Sequence, residues 1–402
     1  MSKLTQTEYN FILLLRSALA NRVAGADELE ADIDVGGILR LAYNHKLRHM
    51  ILSSLPAELL PEGIDRRGEL IRRVASQVGT TSAFLNIWES MEAAGFHPIV
   101  VKGIVCRMLY HHPELRPSSD EDLYVAADEF EGCCELLQSL GLTPDKTPFG
   151  DYGEIGWRGN GGVYIELHRD LFESDPCLEL RQFFSFDTLK TETYATHHGR
   201  SVVSMTPHDH FLYLLLHAYK HFIHSGFGIR QVCDIGIWAQ RYGDRIDWQK
   251  LREQCDSVRI RNFAIALLGI AKHDLHIELS LPEDWESTED YGAPMLGDIL
   301  CGGIYGSSGV DRVHSATITL NAVKASQTQT RRSLRHTLFP STDALRSRYP
   351  YVIKHPILLP IAWCSRILSY AKQSISGKTH ASQSIAIGKE RIELLRFYNI
   401  LD

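Results

Sequence analysis

Two stretches decide how this chain folds: His97-Pro-Ile-Val-Val-Lys102-Gly103 and Arg116-Pro-Ser-Ser-Asp120-Glu-Asp122-Leu-Tyr-Val125. The first is a short β-branched run ended by glycine, the mark of a buried strand. The second carries a strand over Asp122–Val125, and Ile104–Tyr110 between them reads as a short helix. Downstream, Asp128–Leu140 reads as a helix stopped by Gly141. Glu154–Arg158 and Val163–His168 read as two strands, and Gly159-Asn-Gly-Gly162 between them is a hairpin signal. Residues 96–200 are therefore expected to be a small α/β unit with a mixed sheet.

Outward from this unit the periodicity is helical. Residues 1–95 form an N-terminal helical region whose last helix, from about Leu70 to Ala94, ends at Gly95. Residues 201–300 carry helices at Asp209–His221, Ile229–Tyr242 and Trp248–His273, the last with a turn inside. Residues 301–402 are expected to be a C-terminal helical region, with a Ser-rich linker at 373–388 and a last amphipathic helix at Glu390–Leu401. The fold class is α+β, a small mixed sheet flanked by helical regions on both sides.

Composition bounds the function. The 402 residues carry a formal net charge of −7 and 23% charged residues, close to ordinary soluble domains. That balance disfavours a protein built to coat nucleic acid or an anionic membrane. The eight cysteines form no C-x-x-C pair, which removes zinc ribbons and thioredoxin-like sites and suits reduced, buried thiols. The N-terminus lacks the apolar core of a signal peptide, and Pro356–Cys364 is too short to span a bilayer. A soluble cytoplasmic protein is expected.

Alternation along a strand turns Asp120 and Asp122 the same way, about 6.5–7 Å apart along the chain. Two carboxylates so placed can share divalent ions, and Glu166, in the apolar run Tyr164-Ile-Glu-Leu-His168, can add a third. Oxygen ligands with no neighbouring Cys or His set favour Mg²⁺ or Mn²⁺ over zinc. His168 shares the face of Glu166, either lining a substrate side or serving as a core histidine. Rival patterns are weaker. His217, His221 and His224 follow a helix face, but Ala218 stands where a zincin needs Glu. No P-loop and no G-x-S-x-G elbow is present. A glycosidase pair made of Asp120 and Glu166 would leave Asp122 and Lys102 unexplained.

The Lys102-Gly103 pair, the R-P-S-S-D-E-D-L-Y-V run and Y-I-E-L-H together resemble the uncharacterised nucleotidyltransferase family of the polymerase-β-like superfamily. The likeness continues through His217-Ala-Tyr-Lys220-His221, Arg230-Gln-Val-Cys-Asp234 and Tyr349–Trp363. It implies a nucleotidyltransferase core with Asp120, Asp122 and Glu166 as catalytic metal ligands. It also implies transfer of a nucleoside monophosphate from a nucleoside triphosphate to the hydroxyl of a small-molecule or protein acceptor. Lys102, Gly103, Arg116, Ser118, Ser119 and Lys220 become candidate nucleotide contacts; His168, Arg230 and Asp234 become acceptor-side or supporting residues. The bland alternatives are solvated cations for Lys102 and Arg116, turn residues for Ser118 and Ser119, and a local i, i+4 ion pair for Arg230 and Asp234. Two departures stand out: Lys102-Gly103-Ile104 replaces the superfamily's Gly-Ser or Gly-Gly pair, and Glu121 sits where an apolar residue is commoner. Glu121 is expected to point away from the metals, to solvent or a basic partner. Gly103 is expected to tolerate a β-branched residue in the fold while losing nucleotide. An inactive scaffold that binds nucleotide or a partner is the competing function.

Overall fold

The computed structural model describes residues 4–30, 32–118, 120–145, 153–172, 180–196, 199–224, 226–303, 345, 349, 351–365 and 381–401. Residues 1–218 and 229–297 pack as one compact unit; residues 219–228 and 298–402 group as a second.

The first unit opens with helices α1 (Gln6–Leu19), α2 (Val35–Asn44), α3 (Arg48–Ser54) and α4 (Arg66–Ala93). Their starts are written in the sequence. Thr5 and Glu8 form a reciprocal capping box at α1, while Asp34 and Asp65 accept from the backbone N–H groups of Gly37 and Gly68. Gly95 (φ +88°) ends α4 in the left-handed conformation, as its position predicted.

The sheet follows. Strand β1 (Ile99–Val100) leads through Gly103 into α5 (Ile104–Arg107), then β2 (Glu121–Tyr124) and α6 (Phe130–Ser139). β3 (Thr143–Pro144), β4 (Glu154–Arg158), β5 (Tyr164–His168), β6 (Thr191–Ala195) and β7 (Ser201–Met205) complete it. The order is β3-β4-β5-β2-β1-β7-β6. β2 runs parallel to β5, and β1 runs parallel to β7 but antiparallel to β2. The mixed sheet is thus as expected, with three more strands than the sequence revealed. β7 lies beyond residue 200, so the expected 96–200 core lacks one strand of the sheet. It is tied to β1 by the Ser204 hydroxyl, which donates to the Val100 carbonyl.

Helices α7 (Pro207–His224), α8 (Ile229–Tyr242), α9 (Trp248–Ser257), α10 (Arg261–Gly269) and α11 (Ala293–Gly302) follow. Trp238 of α8 is fully buried and donates to the Pro207 carbonyl at 3.0 Å, fixing α8 against the start of α7. In the second unit, Leu345, Val352 and Ala362 form a small apolar cluster. A helix at Ala381–Phe397 corrects the expected linker: residues 381–388 are helical, and 373–380 lie outside the described residues. No helix among the described residues is long and apolar enough to cross a membrane.

The turn between β1 and α5 decides what Gly103 does. Its φ is +56°, and a Cβ there would collide with the buried carboxylate of Glu121. Glu121 Oε2 accepts the Ile104 N–H at 2.7 Å, and its Oε1 lies 2.8 Å from Arg107 Nη2. The Ile104 N–H at the start of α5, next to the candidate nucleotide contact Gly103, is therefore taken by the chain's own carboxylate. Glu121 does turn to a basic partner, but inside the protein. Gly103→Val should accordingly destabilise the fold by about 3–5 kcal/mol, adding backbone strain to a disrupted buried ion pair. Urea unfolding is the measurement, and a wild-type midpoint would overturn this account.

A second stability prediction concerns Asp274, in the π-turn Ile270–Asp274 that ends α10. Arg16 of α1 donates to its carbonyl, while its buried Oδ2 has no hydrogen-bond partner. Burial pushes this carboxyl up to about 6, against the opposing charge of Arg16. An unfolded aspartate titrates near 3.9, so the folded state holds the proton more tightly. Its contribution to stability is full below about pH 4 and is lost as pH rises through about 6. Asp274→Asn should flatten the slope of unfolding free energy across that window; an unchanged slope would refute the assignment.

Candidate active site

The parallel register of β2 and β5 sets Asp122 opposite Glu166 and Tyr124 opposite His168. Asp122 is only 1% exposed, and its Oδ1 lies 3.1 Å from Lys102 Nζ and 3.2 Å from His168 Nε2. Glu166 Oε2 is 3.8 Å from the same imidazole nitrogen, and Asp120 Oδ2 is 3.8 Å from Lys102 Nζ. Asp120 precedes the first residue of β2, yet the alternation holds: Asp120 and Asp122 both turn to Lys102, while Glu121 turns to Arg107. Glu154 of β4 reaches His168 Nδ1 at 3.5 Å.

From α7, His217 brings Nε2 to 3.2 Å from Lys102 Nζ, with its ring 5.6 Å from that of Tyr213. An ammonium offers only donors, so this His217 nitrogen accepts and its proton sits on Nδ1.

The electrostatics follow from burial and crowding. Burial alone would lift the Asp122 carboxyl, but the Lys102 ammonium and the His168 hydrogen bond hold it well below the usual range. Glu166 goes the other way, pushed up to about 7 by burial and then by the charge of Asp122. Three carboxylates facing the Lys102 ammonium leave the group short of positive charge.

One donor atom each from Asp122, Glu166 and His168 lies within 4.8 Å of the others, and Asp122 Oδ2 is buried without a hydrogen-bond partner. This donor set fits a divalent cation. It also corrects the expectation of an oxygen-only neighbourhood, because an imidazole stands among the carboxylates.

The remaining sequence candidates divide. Arg116 is buried and forks onto Asp234, Nε to Oδ1 at 3.1 Å and Nη2 to Oδ2 at 2.5 Å; Tyr110 donates to Asp234 Oδ1 at 2.7 Å. The Arg230–Asp234 local pair is thus replaced by a bond across the fold, and Arg230 donates to the Pro117 carbonyl instead. These contacts clamp the loop before β2. Ser118 continues the clamp by donating to the Asp120 carbonyl at 2.9 Å. Ser119 lies outside the described residues. Lys220 lies on α7 among the residues that group with the second unit. Sequence reasoning missed His217 and Glu154 as neighbours of the cluster. The His217-Ala-Tyr-Lys-His221 run was the signal for the first; nothing marked the second.

Comparison with known proteins places the chain at the level of family. The family described as uncharacterised nucleotidyltransferase matches residues 31–276, which include both β2 and β5. A search of curated proteins returns no match. Among solved structures, the chain is similar to an antigenic nucleotidyltransferase-like protein from Paracoccidioides brasiliensis. The two are 15% identical with a TM-score of 0.32, over 50% of this chain and 94% of the other. With a family match over more than half of its length, the chain belongs to the uncharacterised nucleotidyltransferases.

Proposed function

We propose that the protein transfers a nucleoside monophosphate from a nucleoside triphosphate to an acceptor hydroxyl, releasing pyrophosphate, with Mg²⁺ or Mn²⁺ held at the carboxylate cluster. The observation that carries this reading is the convergence of Asp122, Glu166 and His168 beside Lys102 on adjacent parallel strands. Asp122 and Glu166 are the ligands, with Asp120 adding its carboxylate from the loop side. A divalent ion held there would supply charge neutralisation of the triphosphate and a lowered pKa for the acceptor hydroxyl.

The chain's own groups do the rest. His168 orients Asp122 through its hydrogen bond to Oδ1, leaving Oδ2 of that carboxylate without a hydrogen-bond partner. Lys102 balances the carboxylates and offers an ammonium to a phosphate oxygen. His217 holds Lys102 from the helical side. The Arg116–Asp234 fork and Ser118 keep the Asp120 loop in place. The acceptor is a small molecule or a protein, and the protein acts in the cytoplasm.

Incubation with each labelled triphosphate, Mg²⁺ or Mn²⁺ and a pool of hydroxyl acceptors should release pyrophosphate and label a product. Asp122→Asn should slow that reaction by roughly 10²–10³-fold, a loss of ~3–4 kcal/mol. Equal rates for wild type and variant would reject metal catalysis at this cluster, and no pyrophosphate release with any triphosphate would leave the chain a scaffold.

The same substitution has a structural signature. Relief of repulsion among three carboxylates would leave stability unchanged or slightly raised, but Asp122 is bound to Lys102 and His168. Its loss strands a mostly buried ammonium, so Asp122→Asn should lower stability by roughly 1–3 kcal/mol. Calorimetric melting in chelator measures this apart from any activity. A melting temperature at or above that of wild type would show that Lys102 does not depend on Asp122.

A further inference from the structure

Beside the carboxylate cluster, four arginines from separate parts of the first unit come together. Arg73 projects from α4, Arg107 from α5, Arg116 from the loop before β2, and Arg230 from the first turn of α8. The contacts that gather them are specific. Arg73 Nη2 donates to Gln77 Oε1 at 2.5 Å, and the Gln77 amide donates to Thr80 Oγ1 at 3.2 Å, on the same helix. Thr81, a turn further along α4, accepts from Arg107 Nη2 at 3.1 Å. Arg230 donates to the Pro117 carbonyl, next to Arg116.

The charges do not close. Two carboxylates meet these arginines: Glu121 pairs with Arg107, and Asp234 with Arg116. Among the described residues, neither Arg73 nor Arg230 has a carboxylate partner. Nearby Glu69 is not available, because Arg48 takes both of its oxygens at 3.0 Å. Three buried N–H groups lack an acceptor: Arg73 Nε, Arg107 Nη1 and Arg230 Nε. Arg107 itself is 1% exposed, so an unsatisfied donor there is costly and bulk water does not relieve it. Crowding acts on Arg73, whose guanidinium is held below its ordinary value by burial and then by the charges of Arg107, Arg230 and Arg116. The neighbouring His49 is also held down, by burial first and by Arg73 next.

We infer that this arginine cluster binds the phosphoryl groups of a ligand, with Arg73 and Arg230 supplying the uncompensated charge and the buried Arg107 and Arg116 adding to the positive field behind them. Guanidinium forks match phosphate oxygens in pairs, and a multiply charged anion would offset the charge that Arg73 and Arg230 leave without a carboxylate. Arg73 and Arg230 are half-buried, so a ligand reaches them from solvent. The arginine cluster stands on its own contacts; its use in catalysis rests on the proposed nucleotidyl transfer. Asp120 lies four positions after Arg116, at most ~14 Å of extended chain, so bound phosphate would lie near the carboxylates. The phosphate belongs either to the donor triphosphate or to a phosphorylated acceptor.

Calorimetric titration of the full chain with inorganic pyrophosphate in excess chelator tests the arginine cluster alone. Wild type should bind, and Arg73→Gln and Arg230→Gln should each weaken binding at least tenfold, with melting run alongside to show that both variants are folded. The titration holds no free divalent ion and needs no turnover, which keeps a failure here separate from a failure of the transferase reading. Adding a nucleoside triphosphate with Mg²⁺ then sorts the source: displacement of pyrophosphate assigns the arginine cluster to the donor, and simultaneous binding assigns it to the acceptor. No pyrophosphate binding by wild type, or undiminished binding by the folded Arg73→Gln/Arg230→Gln double variant, would overturn the proposal.

Discussion

The contact between the Lys102 ammonium and the Asp122 carboxylate, 3.1 Å apart, is the constraint on which the rest of the site depends. A carboxylate buried to 1% exposure, next to two more, is not tolerable without a cation close by. Lys102 comes from the end of β1, so β1 has to sit beside β2. Antiparallel pairing of these two strands achieves that, and β7 on the far side of β1 locks it. The ammonium in turn needs a neutral acceptor, which His217 brings from α7. Sheet order and the placement of one helix are both tied to that pair of charges.

A second balance is built around the loop that carries Asp120. Glu121 and Asp234 each neutralise one arginine, and each also fixes backbone or a neighbouring hydroxyl: Glu121 seals the start of α5, and Asp234 takes the Tyr110 hydroxyl. Negative charge thus serves two ends within the three consecutive residues Asp120, Glu121 and Asp122. Asp120 and Asp122 are presented as chemistry on one face, while Glu121 is consumed as structure on the other. Strand alternation separates the two uses.

The face shared by Asp120 and Asp122, and that shared by Glu166 and His168, could be read from the sequence because alternation is local. So could the hairpin glycines between β4 and β5, where Gly161 and Gly162 adopt positive φ. Partners distant in sequence were another matter. Arg230 and Asp234 sit at helical spacing, and the sequence offers no sign that Asp234 prefers an arginine 118 residues away. Glu121 could be assigned to the opposite face, but not to the turn at Gly103. Strand β6, Thr-Glu-Thr-Tyr-Ala, buries Tyr194 alone, so its composition resembles a loop. At 381–388 the Ser-rich composition pointed to a linker and concealed a helix.

The span of the Arg116–Asp234 and Lys102–His217 contacts also bears on how the protein is made. Both join positions more than a hundred residues apart, so loop closure has to precede either reward. A nascent chain emerging from the ribosome exposes Asp120, Asp122 and Glu166 well before His217 and Asp234 have been synthesised. During that interval Lys102 lacks its histidine and Arg116 lacks its carboxylate. Synthesis of α8 is therefore the step at which the last of these supports becomes available, and a chain released earlier would carry the carboxylates without the clamp that holds their loop.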